Sequence, residues 1–228
     1  MRTQMSLVVV AVFLAACGGA PASDMDPANF VATIDNPWLP FVAGAEWVFE
    51  DETEDGLERI EVIVTDETRQ IMGITATVVR DIVTLDGEVI EDTFDWYAQD
   101  RDGNVWYLGE ATEEYEDGVV VSTAGSWEAG VDGAEAGIIM KANPAVGDTY
   151  RQEFYEGEAE DMAEVVRTGD AVEVSFGSYT DVLVIREWTP LEPGVAEEKF
   201  YARGIGPVLE VKVEGGEGRV ELISYTAP

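Results

Sequence analysis

Alternation of apolar and polar residues with a period of two constrains this chain more than any other feature, and it runs through most of the sequence from residue 47 onward. In the segment 57–66, for example, it places Ile60, Val62 and Val64 on one face. No stretch in that part of the chain sustains the 3.6-residue apolar period of an amphipathic helix. The pattern therefore predicts a nearly all-β fold.

Tight-turn sequences separate several of these alternating segments. Aspartate, asparagine and glycine adopt the left-handed backbone conformations that two-residue hairpin turns require. Three such signals are Asp86-Gly87, Asp102-Gly103-Asn104 and Glu116-Asp117-Gly118. Strands joined by hairpins pair antiparallel, so we expect an antiparallel barrel or a two-sheet sandwich.

A spaced series of glycines and aromatic residues occurs twice. The first series is Gly44, Trp47, Gly73, Tyr97-Ala98 and Gly103, and the second is Gly147, Tyr150, Gly177, Tyr201-Ala202 and Gly206. Corresponding intervals agree to within one residue, which a turn or a β-bulge can absorb. The series predicts one β domain over residues 29–228. It has two similar halves, at about 44–110 and 147–213, and an irregular connector at about 122–147.

The N-terminus has the layout of a secretory signal. Arg2 supplies a positive start, and the apolar run from Leu7 to Leu14 is shorter than the roughly 20 residues that span a bilayer. Small residues follow this run. We therefore expect residues 1–16 to be a signal peptide and residues 17–28 to be a flexible tether, with cleavage after Ala22 as the alternative.

Leu14-Ala15-Ala16-Cys17 resembles the lipobox of bacterial lipoproteins. The resemblance implies cleavage before Cys17 and diacylglycerol on its sulfur, so the membrane becomes a partner through the N-terminal lipid. It implies an exported protein that is lipid-anchored in the cell envelope. Gly18 stands where an aspartate would favour inner-membrane retention, so in a diderm host the resemblance implies the outer membrane.

Two further motifs resemble TapB-like bacterial envelope proteins. They are Trp38-Leu39-Pro40 with Gly44-Ala45-Glu46-Trp47-Val48-Phe49, and Phe200-Tyr201-Ala202-Arg203-Gly204-Ile205-Gly206. Those proteins are β-rich and of unknown activity. The resemblance implies a fold, and it offers no catalytic residue.

The composition excludes several chemistries. Thirteen Lys and Arg face 47 Asp and Glu, so the formal net charge of −34 repels nucleic acid. The chain has no histidine and a single cysteine, which excludes His-based catalysis, most zinc sites and an internal disulfide. The remaining partners are a small ligand, a cation or a basic protein. Alternatively, the charge serves solubility alone.

One segment resembles the start of a calcium-binding loop. Asp100, Asp102 and Asn104 recur at every second position, as oxygen ligands of calcium do. The match is partial, because Val105 replaces the turn glycine and Ala111 replaces the bidentate glutamate. Calcium is the one candidate cofactor, and a plain hairpin turn is the alternative interpretation.

Four residues are candidate ligand contacts. Trp127 and Met140 lie in the connector, where long irregular segments often carry function. The alternative is that both fill one end of the core. Arg80 and Arg186 lie within apolar strands, where an arginine can bind an anionic ligand or pair with a carboxylate.

These features favour a lipid-anchored envelope protein with a non-enzymatic binding or interaction role. A carboxylate-based hydrolase acting on glycans is one alternative, since a pair of acids can cleave glycosides without histidine. A cation-binding or structural surface protein is another. The sequence identifies no catalytic residue among its 47 acids.

Overall fold

The computed structural model describes residues 25–228, so the predicted signal peptide and Cys17 lie outside the described residues. Over this range the fold is antiparallel β, and the predicted all-β class is confirmed. A 3-10 turn at Pro27–Asn29 comes before the strands. Within residues 25–228, no helix is both long enough and apolar enough to cross a membrane.

Sixteen strands make up the described chain. They are β1 (Phe30–Val31), β2 (Glu46–Thr53), β3 (Gly56–Ile71), β4 (Ile74–Leu85), β5 (Glu88–Asp100), β6 (Val105–Glu116), β7 (Val119–Ser122), β8 (Trp127–Glu128), β9 (Glu135–Met140), β10 (Thr149–Arg151), β11 (Glu153–Phe154), β12 (Met162–Val174), β13 (Gly177–Trp188), β14 (Ala196–Ala202), β15 (Gly206–Glu214) and β16 (Arg219–Thr226).

Thirteen of these strands form one continuous hydrogen-bonded path that nearly closes on itself. The order is β10-β12-β13-β14-β15-β16-β2-β3-β4-β5-β6-β9-β11. The first and last strands of this path, β10 and β11, are consecutive in the chain and are separated by Gln152 alone. The chain itself therefore joins the two ends of the sheet, which makes the fold barrel-like.

The predicted hairpin turns lie where the sequence placed them. Asp86-Gly87 connects β4 to β5, and Asp117-Gly118 connects β6 to β7. Both residues of each pair have positive φ, at 50° and 86° in the first turn and 51° and 72° in the second. Positive φ at both central residues matches the right-handed twist of the flanking strands, which explains the Asp-Gly sequence.

The two halves of the chain have corresponding connectivity. In the first half β2 to β6 form a meander, and in the second half β10 and β12 to β15 form another. The correspondence extends to hydrogen bonds: the Gly44 amide donates to the Val64 carbonyl at 2.8 Å, and the Gly147 amide donates to the Val165 carbonyl at 2.9 Å. The repeated spacing therefore falls on strands in the same order in both halves, and the structural equivalence of the two halves stays a prediction.

Opposite faces of the central strands pack into two separate hydrophobic clusters. On β4, Val79 faces the cluster inside the barrel, whereas Val78 faces a second cluster outside it. Trp96 lies opposite Val78 on β5 and belongs to the outer cluster. Strand β1 contributes Phe30 to that outer cluster, where it packs edge-on against Trp106. These strands are therefore buried on both faces.

The connector is more regular than the sequence indicated. Two short strands within residues 122–147, β8 and β9, both pair antiparallel with β6. The reason is that β6 would otherwise present unpaired amide and carbonyl groups next to buried side chains. The local sequence does not reveal this pairing, because the partner strand is supplied from elsewhere in the chain.

Gly137 of β9 lies where the barrel closes. A Cβ atom added there would overlap the backbone carbonyl of Gln152 and would lie 2.6 Å from the Arg151 carbonyl oxygen. Backbone atoms held between two strands cannot move aside. We therefore expect Gly137→Ala to lower the free energy of unfolding by about 1–3 kcal/mol, measured by urea denaturation.

Gly177 provides the matched control. It also lies in a strand without positive φ, and the nearest atom to an added Cβ is 3.9 Å away. Gly177→Ala should change stability by less than about 1 kcal/mol, with stabilisation favoured by the lower entropy of the unfolded chain. Equal effects of the two substitutions would contradict the close approach at Gly137.

Candidate functional site

A cavity of about 190 Å³ lies within the barrel-like sheet. Its apolar lining residues are Leu39, Phe41, Trp47, Phe49, Ile60, Val62, Val79, Ile139, Pro207, Leu209 and Val220. Its polar lining residues are Asp81, Asp95, Tyr97, Lys199, Tyr201 and Glu210. A concave, largely apolar surface with a few convergent polar groups is the usual form of a small-molecule site, so this cavity is the candidate site.

The residues that line the cavity follow the two-residue period of each strand. Strand β4 contributes Val79 and Asp81, and strand β14 contributes Lys199 and Tyr201. Successive side chains of a strand point to opposite faces, so inward positions recur at every second residue. Ile60 and Val62 of β3, which the sequence pattern places on one face, both line the cavity. The same period puts the titratable groups of these strands inside the barrel.

Aromatic rings form one wall of the cavity. Phe41 packs edge-on against Trp47, with ring centroids 5.7 Å apart, and it lies 5.1 Å from the ring of Tyr97. The indole nitrogen of Trp47 donates to the Ile205 carbonyl oxygen at 2.7 Å. Because Trp47 is bonded and fully buried, this wall is held in one arrangement.

Asp81 is the cavity carboxylate without a hydrogen-bond partner. Its side chain lies on β4, opposite Val62 of β3 and Thr93 of β5. The buried oxygen Oδ1 accepts no hydrogen bond from any residue of the described chain, 25–228. Burial, together with the nearby Glu91 carboxylate, raises the pKa of Asp81 to about 7. A buried acceptor without a hydrogen bond raises the free energy of the folded state. The unpaired Asp81 oxygen therefore marks a position where a bound donor would be stabilising.

Asp95 belongs to a chain of buried hydrogen bonds. The Tyr107 hydroxyl lies 2.5 Å from Asp95 Oδ1 and 2.7 Å from Glu110 Oε2. A hydroxyl carries one proton and can donate to only one of these oxygens, so the other carboxyl must be protonated and donate in return. Burial raises the pKa of both Asp95 and Glu110 to about 7, which favours that shared proton.

Lys199 is surrounded by three carboxylates. Its ammonium nitrogen lies 2.9 Å from Glu187, 3.3 Å from Glu197 and 3.6 Å from Glu210. About 30% of the Lys199 side chain is accessible, and the residue lines the cavity. Burial alone would lower the pKa of Lys199, but the three carboxylates raise it well above the usual range. This lysine therefore remains charged.

The balance of these groups determines what the cavity can bind. Lys199 is the one basic residue of the lining, and its ammonium group is already surrounded by acids. Asp81 offers an acceptor with no donor opposite it. Among residues 25–228 no group of three or more acids, histidines or cysteines is arranged to hold a metal ion. The cavity thus presents an apolar volume with an uncompensated carboxylate.

The structure pairs both candidate arginines with carboxylates. Arg80 forms a two-point contact with Asp92, at 2.8 and 2.6 Å, and Arg186 lies 2.8 Å from Glu214. Neither arginine lines the cavity. These contacts correspond to the pairing interpretation, and a ligand role for Arg80 and Arg186 stays an untested prediction.

Trp127 and Met140 are both buried, but they lie in different clusters. Met140 packs inside the barrel, and Trp127 packs edge-on against Tyr107, with ring centroids 5.3 Å apart, while Tyr107 stacks on the cavity residue Tyr97 at 4.8 Å. The Trp127 indole donates to Glu153 Oε2 at 2.8 Å. Burial raises the pKa of that carboxyl to about 8. The connector residue that lines the cavity is Ile139, so the structure does not bring Trp127 and Met140 to this site.

The proposed calcium ligands form a hairpin turn between β5 and β6. The Asp100 carboxylate accepts hydrogen bonds from the Asn104 backbone and side-chain amides and from the Trp106 indole, at 2.8–2.9 Å. Asn104 Oδ1 accepts from the Ala142 amide at 2.9 Å. Protein donors therefore already occupy these oxygens. Calcium binding by Asp100, Asp102 and Asn104 stays an untested prediction.

Sequence reasoning did not select the polar residues of the cavity. Asp81 directly follows the candidate Arg80, and the alternation assigns it to the same face as Val79. Applying the two-residue period would have placed Asp81 inside and Arg80 outside. No comparable signal identifies Lys199, because its carboxylate partners come from three different strands.

Comparison with known proteins identifies no family. No protein-family model matches this chain, and no curated protein does either. A solved structure of a candidate exported protein with YmcC-like fold from Bacteroides fragilis is 17% identical, with a TM-score of 0.49. The match covers 83% of this chain and 99% of the Bacteroides fragilis chain. A candidate lipoprotein from Parabacteroides distasonis is 11% identical, with a TM-score of 0.47, and covers 84% and 99%. Neither likeness bears on function.

Proposed function

We propose that this chain is a lipid-anchored envelope protein that binds a small, largely apolar ligand in the barrel cavity without transforming it. The observation that carries the proposal is the cavity of about 190 Å³, in which apolar walls surround one unpartnered carboxylate. An apolar cavity of about 150 Å³ is large enough for benzene. The site is therefore suited to a molecule of similar size.

The size of the cavity argues for binding over glycan hydrolysis. Sites for drug-sized ligands occupy roughly 300–1,000 Å³, and a glycosidase must hold sugar on both sides of the bond that it cleaves. The cavity here is smaller, at about 190 Å³. Asp81 and Asp95 both line it, but the space beside them does not accommodate two sugar rings.

Binding to the cavity can be tested with benzyl alcohol as a neutral probe. Val62→Phe would fill part of the cavity, because Val62 lines it. The adjacent Ile63 is on the opposite face of β3, so Ile63→Phe places the same aromatic ring outside the cavity. We expect Val62→Phe to weaken benzyl alcohol binding at least about tenfold by calorimetry, and Ile63→Phe to leave it unchanged.

An identical affinity in the two variants would place the probe elsewhere on the protein. Failure of the unmodified protein to bind benzyl alcohol would remove the proposed ligand site. A thermal unfolding scan of each variant shows whether it remains folded at the assay temperature.

The anchor is tested by Cys17→Ser. If lipid is attached to the Cys17 sulfur, this substitution should move the protein from the membrane fraction to the soluble exported fraction. It should also remove the mass of the lipid, measured by mass spectrometry of protein extracted from its host. Ser23→Ala, within the proposed tether, is the control and should stay in the membrane fraction. Retention of Cys17→Ser at unchanged mass would contradict the lipoprotein interpretation.

A further inference from the structure

We infer that the ligand is a small organic cation, a protonated amine with an apolar body, whose ammonium group is bound by Asp81. This inference rests on the proposed function and names the chemical class of its ligand. It starts from the unpaired Asp81 oxygen, which has no donor among residues 25–228. A buried carboxylate gains most from a donor that also carries positive charge.

The protein's own cation does not meet this need. Lys199 lines the same cavity, but its ammonium group lies within 2.9–3.6 Å of Glu187, Glu197 and Glu210. Asp81 has no ion pair of its own in the described chain. One lysine therefore faces three carboxylates before Asp81 is considered, and the interior keeps an excess of negative charge. An anionic ligand would increase that excess, whereas an amine reduces it.

The cavity walls are suited to the same cation. Phe41, Trp47 and Tyr97 present aromatic rings whose faces attract positive charge. The remaining wall is aliphatic, so the rest of the ligand should be apolar. A cavity of about 190 Å³ holds a molecule slightly larger than benzene, which is the size of benzylamine.

The charged groups around Asp81 come from four neighbouring strands. Glu91 of β5, Glu110 of β6 and Glu210 of β15 disfavour its ionised form, and Lys199 of β14 favours it. Asp95 of β5 lines the same cavity and is a further acid near Asp81. With these acids and one base around it, the ionised Asp81 carboxylate is stabilised most when a cation is bound. Amine binding and ionisation of Asp81 should therefore occur together.

Benzylamine and benzyl alcohol form a matched pair of probes, because they differ in one ammonium or hydroxyl group. At pH 8 the unmodified protein should bind benzylamine at least about tenfold more tightly than benzyl alcohol by calorimetry. Asp81→Asn should lose this preference while still binding benzyl alcohol. Asp66→Asn removes the same charge from an exposed position of β3 and should bind both probes normally.

Lowering the pH from 8 to 6 should weaken benzylamine binding to the unmodified protein and leave benzyl alcohol binding unchanged. Equal affinity for the two probes at pH 8 would overturn the inference, as would unchanged benzylamine binding by Asp81→Asn or its loss of both probes. If benzyl alcohol binds and benzylamine binds no more tightly, the cavity function stands without the amine. If neither probe binds the unmodified protein, the proposed function fails as well.

Discussion

The protein should be more stable at pH 5 than at pH 8, and the loss should follow the ionisation of carboxyls buried in and beside the barrel. Burial raises the pKa of Asp95 from 3.8 to about 7, and the nearby carboxylates of Asp81 and Glu91 raise it too, although the hydrogen bond from Tyr107 lowers it. Between pH 5 and about 7 the folded state holds a proton that the unfolded state has released. Stability therefore falls as pH rises through this window.

The expected effect is large. Between pH 5 and about 7, a carboxyl whose pKa is raised from 3.8 to about 7 accounts for about 3 kcal/mol of folding free energy, as an upper bound. Glu110 and Glu153 act in the same direction, since burial raises their pKa values to about 7 and about 8. Asp148 and Glu221 act in the opposite direction, because hydrogen bonds lower their pKa values and their contribution is lost only in stronger acid. Maximum stability is therefore expected near pH 4–5.

Asp95→Asn tests this cause directly. Asparagine keeps an oxygen that can accept from the Tyr107 hydroxyl but cannot ionise. Urea denaturation should show the variant close to the unmodified protein at pH 5 and more stable than it at pH 8. The exposed substitution Asp66→Asn should leave the change in unfolding free energy between pH 5 and pH 8 as it is in the unmodified protein. If the unmodified protein and Asp95→Asn lose stability in parallel between pH 5 and pH 8, the buried carboxyl is not the cause.

Lys199→Met should destabilise the protein by about 3–5 kcal/mol at pH 8, the range expected when one partner of a buried ion pair is removed. Methionine fills a similar volume but leaves the Glu187, Glu197 and Glu210 carboxylates without a cation. The loss should be smaller at pH 5. Burial raises the pKa of Glu210 to about 7, so this carboxyl is already protonated at pH 5.

Lys212→Met is the matched control, because Lys212 is an exposed lysine on the adjacent strand β15. It should change the free energy of unfolding by less than about 0.5 kcal/mol at both pH values. A loss below about 1 kcal/mol in Lys199→Met at pH 8, or an equal loss at pH 5, would show that the lysine does not neutralise the three acids.

The sequence by itself determined the local structure of this protein. The two-residue period predicted strands and their inward faces, as at Ile60, Val62 and Val64. Asp-Gly pairs located two of the hairpins. These features depend on backbone preferences and on neighbours within one hairpin. Such interactions are encoded within a few residues, so they can be recognised without the fold.

Only the tertiary structure decided which charged side chains lie close together. Lys199 lies among acids from β13, β14 and β15, and closure of the barrel depends on Gly137 admitting the backbone at Gln152. Asp81 is one of 47 acids in the sequence, and its unpaired oxygen becomes evident only when strands β3, β4 and β5 enclose it. Burial and charge pairing depend on atoms brought together from distant positions in the chain. The pKa of a carboxyl changes only when those atoms replace water around it.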